Sequence, residues 1–222
     1  MSAPEPSQAE FTQFPPAIRI ADGLSKIALV IRQQAWGKSW NRGLTPTQGQ
    51  VLISLNRRPD KRMTLPDIAS EMAVSKVTAC ITISVLTRKG LVKKERRRSV
   101  LENLYVRLTR KGQEEADRAS HWSEFLVPMI QKLPLAQQTD LHRGLVRIIL
   151  ALQERKEIAV QQMCITCNYF RANVHDNPAA PHHCELVGAP FGDGQIRLNC
   201  PDHQKATNLI QLDRWRTATA SA

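Results

Sequence analysis

The sequence has few aromatic residues and no long apolar run. Phe, Trp and Tyr make up 5% of its 222 residues, whereas hydrophobic residues together make up 42%. A buried core must therefore consist mainly of Leu, Ile, Val and Ala. No run approaches the roughly 18 apolar residues of a transmembrane helix, and the N-terminal segment is acidic and proline-rich rather than basic and then apolar. We therefore expect a cytoplasmic protein with neither a membrane span nor a signal peptide.

Common catalytic signatures are absent as well. The sequence contains no H-E-x-x-H pair, no P-loop, no nucleophile elbow and no dinucleotide-binding fingerprint. We therefore predict that the chain is not an enzyme. Two alternatives depend on a cysteine-rich segment described below, namely a metal- or redox-dependent enzyme and a scaffold that binds another protein.

Acidic residues are scarce in one segment of the chain, residues 45–111. This segment holds 15 Lys and Arg against 5 Asp and Glu, and so carries almost all of the net charge of +11. A concentrated positive charge indicates a polyanionic partner, most simply nucleic acid. An anionic membrane surface would require a long basic amphipathic helix or a lipid anchor, and the sequence shows neither.

Hydrophobic periodicity divides the chain into four parts. Residues 1–16 hold four prolines and predict a disordered leader. Residues 17–162 alternate helical patterns with one strand-like stretch. Residues 163–204 show no helical period and predict a separate small module. Residues 205–222 predict a flexible tail.

The central part predicts a winged helix-turn-helix between Thr45 and Gly112. A helix starting at Thr64 and a helix capped by Ser75 are joined by a tight connection. Gly90 stands where a left-handed C-terminal glycine belongs. Two strands follow, near 91–94 and 104–108, and the basic loop between them would form the wing.

The helix after Ser75 is the predicted recognition helix. Val77, Ile81 and Val85 are predicted to face the core, which leaves polar side chains on the DNA side. Later basic residues would contact the phosphate backbone, and three wing arginines could enter the minor groove. The predicted DNA-binding residues are Ser75, Lys76, Thr78, Ala79, Thr82, Arg88, Lys89, Arg96, Arg97 and Arg98. Cys80, in the same helix, is interpreted as a small packing residue rather than a redox switch.

An ordered set of short motifs resembles the MarR family of winged-helix regulators over about residues 18–160. The motifs are LTPTQGQVL at 44–52, LPDIA at 65–69, VSKVT at 74–78, LTRKGLV at 86–92 and VRLTRKG at 106–112. The resemblance implies a homodimer formed by the N-terminal helix and the last two helices. It also implies binding to palindromic double-stranded operator DNA, often with repression relieved by a small-molecule inducer or an oxidant.

Two positions depart from the family pattern. The family usually carries an Asp-Arg pair just before the second wing strand, where this sequence has Val100 and Leu101. Any wing arginine role would therefore shift to residues 96–98. The predicted fold class is thus mainly α with a small β-wing, in which dimerisation helices flank the winged core and a metal-stapled C-terminal module follows.

Four of the five cysteines lie in the predicted C-terminal module. Cys164, Cys167, Cys184 and Cys200 are separated by 2, 16 and 15 residues. Thiolates gathered in a short segment with little apolar content suit zinc or a four-iron four-sulfur cluster. Zinc is the first expectation, with His183 or His203 as substitute or neighbouring groups. The cluster is the alternative, because the spacing is similar to that of high-potential iron–sulfur proteins. The function predicted for the whole chain is a dimeric DNA-binding transcription regulator, presumed a repressor, with a metal-binding extension that could act as a sensor.

Overall fold

The computed structural model describes residues 15–40, 43–96 and 104–220 of the chain, which falls into two compact units, 1–46 and 47–222. In the first unit, helix α1 (Pro16–Trp40) spans 25 residues. Ser25 and Lys26 stabilise it by hydrogen bonds to Ala21 and Asp22, respectively, one turn earlier. Several of its apolar side chains are exposed: Ile18, Ile20, Ile27, Leu29 and Val30.

The winged helix contains four helices and three strands. In chain order these are α2 (Pro46–Arg57), β1 (Arg62–Thr64), α3 (Leu65–Glu71), α4 (Lys76–Arg88), β2 (Val92–Arg96), β3 (Leu104–Leu108) and α5 (Arg110–Ser120). The strands pair antiparallel in the order β1-β3-β2. The sequence predicts β2 and β3 but misses β1, because a three-residue strand is too short to show an alternating pattern.

Aliphatic side chains form the core of the winged helix, as the composition predicts. The spacing of Val51, Leu52 and Leu55 predicts an inward apolar stripe on α2, and Leu52 and Leu55 are fully buried there. Ile68 of α3, Leu86 of α4 and Val106 of β3 are equally inaccessible. This core fixes α4 against the sheet, so the outer face of α4 is held by packing on its inner face.

Two glycines connect α4 and α5 to the sheet. Gly90 has a φ of +70°, which confirms the predicted left-handed position at the end of α4. Gly112 lies in the first turn of α5, so close to β2 that a Cβ atom there would lie 1.9 Å from the carbonyl oxygen of Leu91. Thr109 caps α5 by accepting a hydrogen bond from the Gly112 amide. The tight entry to α5 therefore requires glycine.

Helical periodicity predicts two helices in the second half of the chain, one from about residue 109 to 127 and one from 135 to 162, and both are shorter in the structure. The first is divided into α5, a 3₁₀ helix (His121–Leu126) and α6 (Val127–Ile130). The second ends eight residues early as α7 (Leu135–Glu154). Lys156 ends it with a φ of +59°, and the Glu157 amide bonds to the Leu152 carbonyl. This left-handed ending satisfies the last carbonyls without a glycine, so the sequence gives no stop signal.

The C-terminal part folds against α7. It contains β4 (Phe170–Arg171), β5 (His182–Cys184), β6 (Ala189–Phe191) and helix α8 (Ile210–Ala220), and the strands pair in the order β4-β5-β6. One core joins Val146 and Leu150 of α7 to Met163, Phe170 and Trp215. The core therefore crosses the predicted boundary at residue 162.

The prediction of a flexible tail at 205–222 is wrong. Residues 210–220 form α8, and its Leu212 and Trp215 are 3% and 0% exposed. The sequence analysis overlooked them because two apolar positions do not establish a helical period.

None of the helices in the described part of the chain is by itself long and apolar enough to cross a membrane; α3 and α4 reach that length and apolarity only together, across a bend of 109°.

Candidate nucleic-acid interface and cysteine site

Helices α3 and α4 meet as a helix-turn-helix. The chain bends by 109° between them, within the range of about 90–120° that is usual for this motif. Ala73 takes a φ of +51°, and the Val74 amide donates to the Ala69 carbonyl at 3.0 Å to close the turn. Thr64 and Ser75 cap the two helices as predicted, Ser75 Oγ accepting from the Thr78 amide at 3.0 Å.

The outward face of α4 differs from the predicted one. Ser75, Lys76 and Thr78 are exposed as predicted, but Ala79 and Thr82 are buried at 1% and 9% exposure. Val77 and Ile81, predicted to lie in the core, are 69% and 61% exposed. The prediction of Ala79 and Thr82 as DNA-reading side chains is therefore wrong.

The helical repeat explains this rotation. Ala79, Thr82, Ile83 and Leu86 recur at i, i+3, i+4 and i+7 and face the core. Thr82 can be buried because its hydroxyl donates to the Thr78 carbonyl at 2.9 Å. Sequence reasoning placed the apolar side chains inward, and this rule fails on α4 because Val77 and Ile81 are exposed. We call the exposed residues Lys76, Val77, Cys80 and Ile81, together with the half-buried Ser84, the reading face.

Cys80 belongs to the reading face rather than to the core. Its side chain is exposed, so its interpretation as a packing residue is wrong. The burial of the neighbouring Ala79 shows that α4 presents position 79, and not position 80, to the domain interior.

Two of the predicted phosphate-contacting residues, Arg88 and Lys89, lie at the end of α4. Arg88 is exposed in the last turn, whereas Lys89 is half-buried and its Nζ donates to Gln48 Oε1 at 2.9 Å. The prediction for the wing arginines falls outside what the structure describes: the side chain of Arg96, which ends β2, is among those not described, and Arg97 and Arg98 lie in the gap at 97–103.

The four cysteines of the C-terminal part line one cavity. Cys164 and Cys167 come from a 3₁₀ helix (Cys164–Thr166) and the residue after it, Cys184 ends β5, and Cys200 lies in the following loop. The cavity measures about 30 Å³. The sequence-predicted convergence of four separated thiols is thus present. Within the described part of the chain, however, no three His, Cys, Asp or Glu side chains are grouped closely enough to bind a single metal ion.

The Cys164 thiol lies partly buried beside the other three cysteines. Burial raises its pKa, the neighbouring thiols of Cys200, Cys184 and Cys167 act in the same direction, and a hydrogen bond from the Arg197 amide at 3.2 Å opposes them. The arrangement therefore favours the neutral thiol at this position.

The histidines near the cysteines have other partners. His183 Nδ1 lies 3.1 Å from His175 Nε2, and His203 Nε2 lies 3.2 Å from Thr166 Oγ1. His182 is buried rather than exposed, and its Nε2 lies 3.1 Å from Asp193 Oδ1. The roles proposed for His183 and His203 at a metal stay predictions.

Asp193 connects the cysteine site to α7 and α8, and sequence reasoning missed it. One carboxylate oxygen accepts from His182 and, at 2.9 Å, from Trp215 Nε1, and the other accepts from Arg143 Nε at 3.0 Å. Burial raises the pKa of Asp193, but the hydrogen bonds from His182 and Trp215, with Arg143, outweigh it and lower the pKa to about 2. The only sequence signal was an acidic residue beside glycines in a loop.

The order of helices and strands, with the exposed face of α4, is that of a winged helix-turn-helix protein. Residues 42–99 match the MarR family model. The match spans about a quarter of the chain, and within it the winged helix is similar to that of the MarR family.

Solved structures resemble the chain in fold at low sequence identity. AbsC, a MarR family regulator from Streptomyces coelicolor, is 22% identical with a TM-score of 0.54, and the match covers 64% of this chain and 97% of AbsC. Sco3205 from the same organism, solved in complex with DNA, is 18% identical with a TM-score of 0.51, covering 69% and 92%. A putative MarR family regulator from Listeria monocytogenes, complexed with 26mer DNA, is 15% identical with a TM-score of 0.54, covering 61% and 90%. About a third of this chain thus has no counterpart in them. A search of curated proteins found no match.

Proposed function

We propose that the chain is a homodimeric regulator that reads operator DNA with the reading face of α4. The observation that carries this proposal is the exposure of Val77 and Ile81 beside Lys76 at the start of a capped helix in a helix-turn-helix. Apolar side chains at this position can contact thymine methyl groups, and a lysine can reach guanine or phosphate. Ser75 and Thr78 add hydroxyl groups at the N-terminus of α4, where backbone amides favour a phosphate.

Exposed apolar side chains support the dimer. Ile20 and Ile27 of α1 are 57% and 45% exposed, and Leu141 and Ile148 of α7 are 44% and 42% exposed. Monomeric proteins rarely leave such stripes uncovered. A two-fold dimer would cover them and present two copies of α4 to successive major grooves, which agrees with a palindromic operator.

In-vitro selection tests DNA reading directly. The full chain selects from random duplexes of about 30 base pairs, long enough for two half-sites one turn apart. Binding to the selected duplex is then measured by fluorescence anisotropy. Val77→Ala and Lys76→Ala should weaken binding to this duplex by about tenfold each, and Val77→Ala should also relax the preference for thymine. Lys132→Ala, which removes an exposed lysine outside the winged helix, is the matched control.

Unchanged affinity of both Val77→Ala and Lys76→Ala for the selected duplex, with an unchanged preference for thymine in Val77→Ala, would contradict the proposal. For the dimer, light scattering should give twice the chain mass, and Ile148→Lys should shift it toward the monomer. A monomeric mass for the unmodified chain at micromolar concentration would overturn the dimer alone.

We also propose that the cysteine site binds a metal and that a small molecule acts as inducer. Convergence of four thiols on one cavity supports the first. A related solved structure, described as an organohalide-sensing regulator bound to 2,4-dichlorophenol and 13% identical with a TM-score of 0.50, agrees with the second. Measuring the operator affinity of the full chain before and after metal removal tests whether the cysteine site acts as a sensor. Unchanged affinity would mean that the site has only a structural role.

A further inference from the structure

We infer that a cavity between α7 and the C-terminal part binds a neutral phenol. This inference rests on the proposed small-molecule inducer, for which it supplies a site and a chemical class. The cavity, called the α7 cavity below, measures about 650 Å³ and lies between one face of α7 and the segments 178–179 and 192–195. Its volume falls within the range of about 300–1,000 Å³ that is usual for small-molecule sites.

Hydrogen bonds already join the two sides of the α7 cavity. Arg143 Nε of α7 donates to Asp193 Oδ2 at 3.0 Å. His142 Nε2, also of α7, lies 2.9 Å from the Ile196 carbonyl oxygen. The cavity therefore lies between elements that are held in place without a ligand, and small-molecule sites are usually pre-formed in this way.

Part of the lining is apolar. Leu135, at the start of α7, is 77% exposed, so a bound ring would cover apolar surface that now contacts water. A concave surface with such side chains favours a ligand with an apolar body. The apolar residues that line the α7 cavity are Ile130, Leu135, Pro178 and Ala179.

Three polar side chains of the lining donate hydrogen bonds to backbone carbonyl oxygens. Gln138 Nε2 and Thr139 Oγ1 donate to carbonyl oxygens five and four residues earlier, at 2.8 and 3.1 Å. His142 Nε2 is a donor too, because a carbonyl oxygen can only accept. Lone pairs therefore remain on Gln138 Oε1, Thr139 Oγ1 and His142 Nδ1 of the neutral ring, and these suit a ligand that donates a hydrogen bond.

The charge of the lining favours a neutral ligand. Arg143 lies 3.0 Å from Asp193 and 3.2 Å from Asp140, so an anion would compete with two carboxylates that are already in place. Gln195 Oε1 accepts from the Gly192 amide at 2.9 Å, which leaves the Gln195 NH₂ group as a donor. A hydroxyl group donates one hydrogen bond and accepts another, so it satisfies both kinds of group. A phenol joins this hydroxyl to an apolar ring and is neutral at pH 7, because its pKa is about 10.

The position of the α7 cavity connects it to the proposed dimer. The α7 residues at 135, 138, 139 and 142 recur at i, i+3, i+4 and i+7, so they share the face that lines the cavity. By the same helical repeat, Leu141 and Ile148, which support the dimer, lie on the other side of α7. A phenol on one face thus acts on the helix whose other face is proposed to join the two chains.

The test compares three small molecules by equilibrium dialysis against the full chain without DNA. 4-Ethylphenol carries the hydroxyl, 4-ethylanisole has the same ring without a donor, and 4-ethylbenzoate is an anion. We expect 4-ethylphenol to bind about tenfold more tightly than either of the others, because only it pairs the acceptors without competing for Arg143. Equal or tighter binding of 4-ethylanisole or 4-ethylbenzoate would overturn the assignment of a phenol.

Variants of the lining locate the bound molecule. Ala179→Trp fills the α7 cavity and should abolish binding of 4-ethylphenol, whereas Ala136→Trp, at an exposed position of α7 outside the lining, should not change it. Thr139→Val removes a hydroxyl that bonds to its own helix. This variant should weaken 4-ethylphenol about fivefold and leave 4-ethylanisole unchanged. Unchanged 4-ethylphenol binding in both Ala179→Trp and Thr139→Val would overturn the site, and Thr139→Val keeps this test if the bulkier variant does not fold.

DNA binding separates the site from the proposed inducer. The affinity of the full chain for the selected duplex is measured with and without saturating 4-ethylphenol. If 4-ethylphenol binds but the duplex affinity does not change, the site stands and the inducer role fails. If 4-ethylphenol does not bind at all, the inference fails, while DNA reading by α4 keeps its own tests.

Discussion

The winged helix and the C-terminal module are held together in different ways. The winged helix closes an aliphatic core with helices of seven to 13 residues and strands of three to five. The module has strands of two or three residues and directs its cysteines toward a cavity. Its core also contains Val146 and Leu150 of α7 and Trp215 of α8. Helices and strands of ordinary length thus form the core of the winged helix, whereas the core of the module depends on a few side chains from distant parts of the sequence.

The two regions also differ in whether their candidate functional side chains face solvent or the interior. The winged helix turns Val77 and Ile81 outward, where a partner can cover them, and buries ordinary packing residues. The module turns its thiols inward and surrounds them with aromatic rings. An exposed apolar helix face and an inward-facing group of thiols therefore coexist in one compact unit, 47–222.

The largest expected effect falls on the module. Trp215→Ala removes a fully buried side chain and should lower the free energy of unfolding by about 3–5 kcal/mol. Leu209→Ala, at a position 54% exposed, should change it little. Denaturant unfolding followed by far-UV circular dichroism measures both. Equal stability of the two variants would mean that α8 does not close the core.

The next effect falls on the winged helix. Gly112→Ala places a Cβ atom against the Leu91 carbonyl and should cost about 3 kcal/mol, with loss of DNA binding as α5 moves away from the sheet. Gly144→Ala, on α7 with open space around it, should instead stabilise by up to about 1 kcal/mol. Thermal melting distinguishes the two, and a melting temperature for Gly112→Ala as high as that of the unmodified chain would contradict the close approach.

A smaller effect on stability, expected at Asp193, depends on pH. Because the pKa of Asp193 lies at about 2 rather than 3.8, its ionised form stabilises the fold above pH 3.8, and this contribution is lost as the pH falls toward 2. The shift corresponds to about 2 kcal/mol. Denaturation of the unmodified chain and of Asp193→Asn should therefore show a stability difference that narrows over this range. Asp176→Asn controls for loss of one charge, and a pH-independent difference would rule out the mechanism.

The smallest effect is expected at the helix cap. Ser75→Ala removes the hydroxyl that accepts from the Thr78 amide and should destabilise α4 by about 1 kcal/mol. Ser75→Asp keeps a cap and should restore stability, yet its charge should weaken DNA binding. Thermal melting measures the stability of both variants, and fluorescence anisotropy measures their DNA binding. Full DNA affinity for Ser75→Asp would place Ser75 away from the phosphates.

Much of the winged helix could be predicted from the sequence because its signals are local. The caps at Thr64 and Ser75, the left-handed Gly90 and the aliphatic stripe of α2 all act within a few residues. The face of α4 could not be predicted in this way. Polarity was used as a guide to burial, whereas Val77 and Ile81 are exposed and Thr82 is buried with its hydroxyl bonded to its own helix.

The module was harder to predict because its contacts are long-range. The cysteine spacing indicated a shared site, and the structure brings the four thiols to one cavity. Nothing in the local sequence indicates that Asp193 joins Arg143, His182 and Trp215, since these residues span more than 70 positions. The early end of α7 was equally hidden, because Lys156 adopts a conformation that usually marks glycine.

The position of Trp215 also has a consequence for the order of events during synthesis. The core that begins at Val146 cannot close until residue 215 has left the ribosome, whereas the winged helix is complete once residue 120 has emerged. Domains fold as they appear, the N-terminal one first. The winged helix therefore takes shape before the cysteines have a cavity around them.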